Sequence, residues 1–415
     1  MTAASPEIIA AYNAGRDPSR LALKLVAMRD NPFSFLRGTA HLFHQRMAEA
    51  GIDTGGPPTW ICGDLHLENF GTYLASNGLT YFDINDFDEC ALAPCSWDIL
   101  RLATSLLVAA PLYDIKRAAA VALATQAIAA YRNELATGKP RWIERKTADG
   151  VIGDLIDSLR HRNPEKFVQK RTVDKRSQAL DTALPKMQAV MSGQERRQVS
   201  GFIESRTVGA KGPQEFRFLD VAYRIAGTGS LGVCRYVVLA ETLTDPSRKL
   251  LLDLKGTLPS SVQPVSGISQ PPWNNEAHRV VAVQNLAQVL PPGLLQAVSF
   301  GGQSFVFKEL QPTSDRLDLD EVAKDADQFS RTITTMGELT AWAHLRASGH
   351  LTSAPSDALV AFAQDKAVAK AILLAAQDME TSTHDDYAAY CEAYDAGAFA
   401  ATLAHLDKAK GDEAA

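Results

Sequence analysis

The sequence predicts an α+β protein in which a β-rich block separates two helical regions. Three observations indicate this order. Apolar residues recur at helical spacing over most of residues 17–205, strand-like patterns prevail over residues 215–312, and helical spacing returns over residues 313–408. With 415 residues, the chain is long enough for two or three domains or lobes with a sizeable buried core.

Charge and composition exclude several classes of protein. Lysine and arginine total 42 against 48 aspartate and glutamate residues, so the net charge is -6 and nucleic acid is not an expected partner. No run of eighteen apolar residues occurs, and the first residues do not read as a signal peptide, so we expect no membrane partner. Five scattered cysteines without a C-x-x-C pair favour reduced thiols in a cytoplasmic protein.

The first region mixes helices with one group of strands. Residues 1–16 are small and polar and are expected to be mobile. Residues 21–50 predict helices interrupted near Asn31 and Pro32. T-W-I-C then predicts a short strand, and F-G-T-Y-L and L-T-Y-F-D-I predict two strands around an Asn77-Gly78 turn. Helices follow over residues 97–136 and 143–200.

The β-rich block is predicted to consist of strands and one helix, and the last region of helices alone. Short strands are predicted at V-C-R-Y-V-V-L, L-L-L-D-L-K, L-L-Q-A-V-S-F and S-F-V-F-K-E-L, with one helix at about residues 275–290. Helices are then predicted over residues 319–348 and 356–407.

Polar residues are unusually dense after the T-W-I-C strand. C-G-D-L-H-L-E-N contains Asp64, His66 and Asn69, and such density is costly in a core but normal in a site. If Asn77-Gly78 forms a two-residue turn, Asn69 lies opposite Asp86 on the neighbouring strand. An amide oxygen and a carboxylate placed in this way can share Mg²⁺, and Asp64 remains free to act as a base. A polar turn with an Asx cap is the alternative interpretation.

This arrangement resembles the catalytic core of the protein-kinase-like fold, in its aminoglycoside-phosphotransferase and choline-kinase branch. The matching motifs are G-D-L-H-L-E-N at 63–69, N-D-F-D at 85–88 and W-D-I at 97–99. The resemblance implies Asp64 as the catalytic base, Asn69 and Asp86 as Mg²⁺ ligands, and Asp98 as a buried anchor. Asp83, in F-D-I, is the rival metal ligand, and the expected register favours Asp86.

The chain is more narrowly similar to a bacterial family known as domain of unknown function 2252. The stretches that carry this similarity are N-P-F-S-F-L-R-G, G-D-L-H-L-E-N-F-G, F-D-I-N-D-F-D-E and W-D-I-L-R-L-A. A dinuclear phosphatase also uses G-D-x-H, but it needs a further D-x-H upstream and a G-N-H downstream, and neither occurs here. We therefore expect His66 to support the catalytic loop by hydrogen bonding.

A glycine-rich turn lies in the β-rich block. Gly227, Gly229 and Gly232 form G-x-G-x-x-G, with Ser230 inside it, and V-C-R-Y-V-V-L follows as a strand. A dinucleotide-binding fold requires a helix at that point, whereas a strand is typical of the kinase phosphate cover. A tight hairpin without a ligand is the alternative.

Lys255 ends the strand L-L-L-D-L-K, where its ammonium could pair with the α- and β-phosphates of ATP. A lysine that merely extends into solvent from the sheet is the alternative. Kinases pair this lysine with a helix glutamate, and the only candidates here are Glu276 and Gln284, neither of which is a secure match. The backbone around Glu309–Gln311 would meet the adenine.

The order of these motifs is reversed relative to ordinary kinases, because the catalytic loop precedes the glycine turn by about 160 residues. We therefore expect a circularly permuted, two-lobed fold with a mainly helical C-lobe and a β-rich N-lobe; a coincidental glycine turn is the alternative. The expected activity is Mg-ATP-dependent phosphoryl transfer to a hydroxyl or amine of a small molecule. A nucleotide-binding protein without turnover and an adenylyl transferase are the alternatives.

Overall fold

Helices prevail in the two end regions of the chain, with a group of short strands within the first, and a six-stranded sheet forms mainly from the block between them, in the order that the periodicity predicts. The computed structural model describes residues 4–173, 178–206, 215–245, 248–311 and 315–412. The predicted segment boundary at 312/313 lies outside the described residues. The helices are α1 Ser5–Tyr12, α2 Pro18–Arg29, α3 Pro32–Gly38, α4 Ala40–Glu49, α5 Ser96–Ala109, α6 Arg117–Thr137, α7 Gly150–Leu159, α8 Pro164–Gln169, α9 Gly193–Glu204, α10 Glu276–Ala287, α11 Leu319–Val322, α12 Ala326–Ala347, α13 Ser356–Gln364, α14 Lys366–Asp395 and α15 Ala400–Asp412.

The strands form three antiparallel sheets. They are β1 Pro58–Ile61, β2 Phe70–Leu74, β3 Thr80–Ile84, β4 Ala91–Pro94, β5 Ile143–Glu144, β6 Met187–Ala189, β7 Phe216–Arg224, β8 Arg235–Thr242, β9 Lys249–Gly256, β10 Gln296–Phe300 and β11 Gln303–Glu309. Short 3-10 helices lie at Leu67–Asn69 and Ala110–Tyr113.

The two helical regions share one hydrophobic core, although the β-rich block separates them in sequence. Leu106 of α5 and Ile128 of α6 belong to the same buried cluster as Met336 of α12 and Ala376 of α14. At Gly337 the backbones of α12 and α6 lie so close that a Cβ would overlap the carbonyl oxygen of Ala127. The helical segments before and after the β-rich block therefore pack as one body.

Local signals explain where the first helices begin and end. The side chain of Asn31 accepts a hydrogen bond from the backbone N–H of Ser34 at 2.8 Å, and Pro32 occupies the first helical position of α3. The prediction that residues 1–16 are mobile is wrong for α1, because Ile9 is fully buried and Asn13 nearly so. The small and polar composition of residues 1–16 gave no sign that α1 packs against the rest of the chain.

The β-rich block forms a six-stranded sheet in the order β10-β11-β9-β8-β7-β6. Strands β7, β8 and β9 form a meander, α10 follows, and the β10–β11 hairpin returns beside β9. Val199 and Ile203 of α9 pack with Phe216 and Phe307 in a second hydrophobic core on one face of the sheet. Strand β6 thus joins the sheet and α9 packs against it, although both precede the predicted β-rich block.

The motif G-D-L-H-L-E-N at 63–69 lies between two small sheets in the helical body. Strand β1 pairs with β4, and the β2–β3 hairpin pairs with the short β5. Among the described helices, none has the length and apolar character needed to cross a membrane.

Candidate functional site

Asp98 anchors the loop that follows β1. Its two carboxylate oxygens accept hydrogen bonds from the backbone N–H groups of Cys62 (2.8 Å) and Gly63 (2.9 Å), and its side chain is 1% exposed. His344 of α12 lies 3.2 Å from the same carboxylate. Asp98 therefore has the buried, loop-holding position that the resemblance implies.

Asp64, the residue after Gly63, forms an ion pair with Arg101. The Nε of Arg101, which is fully buried, donates to Oδ1 of Asp64 at 2.8 Å, and its Nη2 donates to the same oxygen. Oδ2 of Asp64 has no hydrogen-bond partner among the described residues, and the side chain is 20% exposed. Burial raises the pKa of Asp64 from 3.8 to about 6, with the Arg101 guanidinium acting in the opposite direction. One carboxylate oxygen is thus fixed and the other can accept a proton.

His66 and Asn69 shape the rest of this loop. Nδ1 of His66 accepts from the backbone N–H of Glu68 at 3.2 Å, so the buried imidazole caps the short 3-10 helix as a support of the loop. The side-chain amide of Asn69 donates to the carbonyl oxygen of Asp64 at 2.5 Å. This bond directs the amide nitrogen of Asn69 to the loop and leaves its Oδ1 as the available ligand atom.

The predicted hairpin register is wrong by one residue. Phe70 pairs with Ile84, and the backbone N–H of Asn85 donates to the carbonyl oxygen of Asn69 at 2.9 Å, so Asn69 lies opposite Asn85 rather than Asp86. The cause is a three-residue turn: the N–H of Ala75 donates to Leu79 O, and Gly78 adopts a positive φ of 79°.

Asp83 and Asp86 nevertheless have different surroundings. Asp83 is 2% exposed, and its Oδ2 accepts from Nη2 of Arg346 at 2.7 Å. Burial raises the pKa of Asp83, while Arg346 opposes that rise. Asp86 lies beyond the end of β3, with 38% of its side chain exposed, and it lines the cavities described below.

Lys255 reaches Asp86 and Asp88 from β9. Its Nζ lies 3.2 Å from Oδ1 of Asp86 and 2.6 Å from Oδ2 of Asp88. Although burial opposes ionisation, the ammonium of Lys255 lowers the pKa of Asp86 to about 2. Burial and the charge of Asp86 raise the pKa of Asp88. Lys255 is therefore paired within the site.

Neither helix residue proposed as a partner for Lys255 is paired with it. Glu276 accepts from Nε of Arg279 at 2.6 Å, and Gln284 donates to Gln288 at 3.0 Å. The acidic partners of Lys255 come from the N-D-F-D segment instead.

The glycine turn connects β7 to β8, as the sequence predicts, and no helix follows it. Gly227 and Gly232 have φ values of 79° and 86°, which L side chains rarely adopt. Residues near the N-terminus hold the turn: Nη1 of Arg16 donates to the carbonyl oxygens of Gly229 (2.7 Å) and Leu231 (3.0 Å). Nζ of Lys24, which is fully buried, donates to Gly229 O at 3.0 Å. The turn is thereby fixed beside the loop that carries Asp64, with which it lines one cavity.

Two cavities meet beneath this turn. The Asp64 cavity is lined by Asp64, His66, Asn69 and the glycine turn including Ser230. The Lys255 cavity is lined by Lys255, Gly227 and the segment Glu309–Gln311 and has a volume of about 420 Å³, within the usual size range of ligand sites. Asp86 and Gly227 line both cavities. The sequence-predicted residues thus converge on one cleft.

The side chains of Glu309 and Gln311 have different surroundings in the Lys255 cavity. The side chain of Gln311 is hydrogen-bonded to β2: it accepts from the N–H of Leu74 and donates to the carbonyl oxygen of Leu74, both at 2.8 Å. Glu309 is half-buried, and burial raises the pKa of its carboxyl. Gln311 therefore connects the sheet to the hairpin.

The donor set at the cleft fits Mg²⁺. Oδ1 of Asn69 and the carboxylate of Asp86 are hard oxygen donors lining the same cavity, and Mg²⁺ in nucleotide sites is held by one or two carboxylates together with substrate phosphates. Within the part of the chain that the structure describes, no group of three or more His, Cys, Asp or Glu side chains could hold a metal ion.

Sequence reasoning missed several residues of the site. Arg101 follows Asp98 by one helical turn, a spacing that places both on one face of α5 and could have identified it. Asp88 belongs to the quoted N-D-F-D motif. The sequence around Arg16 and Lys24 does not identify them as residues of the site, because the glycine turn that they contact lies about 200 residues away in sequence.

The comparisons with known proteins give one match. The family described as "Uncharacterized protein conserved in bacteria (DUF2252)" matches residues 16–393. No curated protein and no solved structure matches the chain.

Proposed function

The chain belongs to this uncharacterised family of bacterial proteins, and we propose that it is a Mg-ATP-dependent phosphotransferase acting on a hydroxyl or amine of a small molecule. The proposal includes a circularly permuted kinase-like fold. The sheet with its α10 insertion corresponds to the N-lobe, and the two helical regions correspond to the C-lobe.

One observation carries the proposal. Lys255 of the sheet and Asp86 of the hairpin, 169 positions apart in sequence, meet at 3.2 Å. Gly227 and Asp86 line the cavity that also contains the base candidate Asp64. A glycine turn, a lysine, an acidic metal ligand and a carboxylate base are the parts that phosphoryl transfer requires. Their convergence on two adjoining cavities supports the phosphotransferase over a coincidental glycine turn.

Each residue has a role that its contacts support. The glycine turn offers backbone N–H groups to the phosphates, and Lys255 pairs with the α- and β-phosphates. Mg²⁺, held by Asn69 and Asp86, would neutralise charge on the phosphates. Oδ2 of Asp64 accepts the proton of the acceptor while Arg101 holds Oδ1 in place. An oxygen or nitrogen of the acceptor bonds to the γ-phosphorus, the bond from that phosphorus to the β–γ bridging oxygen breaks, and ADP leaves.

A nucleotide-binding protein without turnover is the second candidate. The observation that favours it is the pairing of Glu276 with Arg279, which leaves Lys255 without the helix glutamate that active kinases use. In this structure Lys255 instead pairs with Asp86 and Asp88, and metal binding at Asp86 would release it toward the phosphates.

The test uses the full chain and labelled ATP. We expect calorimetry to detect ATP binding that strengthens with Mg²⁺. We also expect label from the γ-position to reach acceptors in a fractionated mixture of small hydroxyl and amine compounds. Transfer from the α-position instead would indicate adenylyl transfer, and binding without any transfer would favour the non-catalytic alternative. Absence of ATP binding would refute the proposal.

A further inference from the structure

Four charged side chains form a cluster on the sheet face of the Lys255 cavity: Arg224, Arg235, Asp253 and Lys308, hereafter the Asp253 cluster. Asp253 is fully buried; Nη1 of Arg224 and Nη2 of Arg235 lie 2.9 Å and 2.6 Å from its Oδ2. Two guanidinium groups thus share a single carboxylate. The phosphotransferase roles assigned above use none of these four residues.

The strand registers explain why the cluster faces the ligand site. Lys308 lies directly opposite Asp253 on the neighbouring strand, and Arg235 lies opposite Lys255. Side chains two residues apart on a strand share a face, so Asp253 and Lys255 point to the same side of the sheet. The Asp253 cluster is therefore continuous with the lysine proposed to hold the phosphates.

Positive charge in the cluster exceeds what its carboxylate can balance. Among the described residues, the half-buried ammonium of Lys308 has no hydrogen-bond or ion-pair partner. Burial lowers the pKa of Lys308, and the nearby Lys255 and Arg235 lower it further, whereas Asp253 opposes them. Burial, followed by the charge of Arg235, also lowers the pKa of Arg224, to about 10. Unbalanced buried charge is unfavourable unless a counter-ion arrives.

The lining of the Lys255 cavity is mainly polar and charged. It includes six cationic side chains against four carboxylates, a balance that favours an anionic group of a ligand. Asp315 also pairs with Arg162, which is not part of the lining, whereas Asp253 pairs with Arg224 and Arg235 inside it. The side chains of the lining therefore carry a net positive charge.

We propose that Arg224, Arg235 and Lys308 form an anion subsite that binds a phosphate group of the phosphoryl donor. The inference rests on the proposed function only in placing the donor in the Lys255 cavity. The donor could supply this group in two ways, as a phosphate of a nucleotide or as part of an inorganic polyphosphate chain. The shared chemistry is a phosphate oxyanion accepting charge-assisted hydrogen bonds from Lys308 and the exposed edges of the guanidinium groups.

The test measures binding of sodium tripolyphosphate, ATP and adenosine by calorimetry, with EDTA present so that the metal makes no contribution. The variants are Lys308→Gln, which removes the unpartnered charge, and Lys308→Arg, which keeps it. Lys324→Gln is the matched control, because Lys324 is 70% exposed and pairs with Glu321 on the surface. Circular dichroism verifies that each variant is folded.

We expect tripolyphosphate to bind the wild-type chain and to bind Lys308→Gln about tenfold or more weakly, because a charge-assisted hydrogen bond is lost. Lys308→Arg and Lys324→Gln should bind nearly as the wild type does. One outcome is that ATP binds the wild-type chain more tightly than tripolyphosphate does, and that Lys308→Gln weakens the binding of both ligands by the same factor. In that case the anion is a phosphate of a nucleotide. If tripolyphosphate binds as tightly as ATP and adenosine does not compete, the anion is an inorganic polyphosphate.

Two results would overturn the subsite: no tripolyphosphate binding to the wild-type chain, or equal binding to Lys308→Gln. Neither result depends on catalysis, since EDTA abolishes metal-assisted transfer. Conversely, failure to transfer the γ-phosphoryl group with Mg²⁺ present would refute the proposed function and leave the anion measurement intact.

Discussion

Nζ of Lys255 lies 3.2 Å from Oδ1 of Asp86, so the third strand of the sheet meander meets the end of the β2–β3 hairpin. The side chain of Lys255 is only 10% exposed, and an ion pair at this depth is weakly screened by solvent salt. The pair connects the sheet to the end of the β2–β3 hairpin, and both of its members face the proposed phosphate site.

Replacing this lysine tests the phosphate site. We expect Lys255→Met to weaken Mg-ATP binding about tenfold or more, because a charge-assisted contact to the phosphates is lost. Lys324→Met, at an exposed surface position, is the matched control and should bind ATP as the wild type does. Calorimetry measures both affinities. A Lys255→Met affinity within twofold of the wild-type value would contradict the assignment.

The sequence predicted those features that depend on local pattern. The helix break at Asn31 and Pro32, the strand–glycine turn–strand and the helix near residues 275–290 all follow from periodicity and turn chemistry, and the structure confirms them. The hairpin register failed because Asn77-Gly78 is compatible with turns of two or three residues, and the difference of one residue changes every pair.

Long-range partners could not be predicted in the same way. Arg16 and Lys24 hold the glycine turn from helices whose own sequence gives no sign of it, and Arg346 engages Asp83 from α12. Each of these contacts depends on how separate segments pack. Asp64, His66 and Asn69 could be identified because polar side chains are concentrated in six consecutive positions of one loop.

Asp64 tests the base assignment. We expect Asp64→Asn to lower the transfer rate by about 10²–10⁴-fold, since an amide cannot accept the acceptor's proton as a carboxylate does. ATP affinity should change little, because Asn still presents an oxygen to Arg101. Steady-state rates and calorimetry on the same preparation separate the two effects. Near-normal turnover in the folded variant would exclude Asp64 as the base.

The raised pKa of Asp64 makes the rate depend on pH in a defined direction. Burial brings this pKa to about 6, so the carboxyl is protonated below that pH and cannot act as a base. We expect the transfer rate to fall about tenfold per pH unit below pH 6 and to level off above it. An activity profile between pH 5 and pH 8 measures this. A rate that stayed constant down to pH 5 would disagree with the assignment.

Asp98 should matter for stability. We expect Asp98→Ala to lower the free energy of unfolding by about 3 kcal/mol, because the buried N–H groups of Cys62 and Gly63 lose their acceptors. Asp98→Asn retains one side-chain oxygen and should be less destabilising. Urea unfolding monitored by circular dichroism compares the two variants. Equal stability of Asp98→Ala and the wild type would show that the loop does not depend on this anchor.

The choice between Asp83 and Asp86 as the Mg²⁺ ligand now rests on their partners, because the expected register is wrong. Asp83 is buried against Arg346, so Asp83→Ala should lower stability by removing the carboxylate that balances a buried guanidinium charge. It should leave the effect of Mg²⁺ on ATP affinity intact.

Asp86→Ala should behave in the opposite way. Asp86 is partly exposed in the cleft and lines the same cavity as Asn69, so its loss should remove the Mg²⁺ dependence of ATP affinity with little effect on folding. Calorimetric titration of ATP with and without Mg²⁺, beside urea unfolding, measures both properties in each variant. Because Arg346 occupies the carboxylate of Asp83, loss of Mg²⁺ dependence in folded Asp83→Ala but not in Asp86→Ala would reverse the assignment.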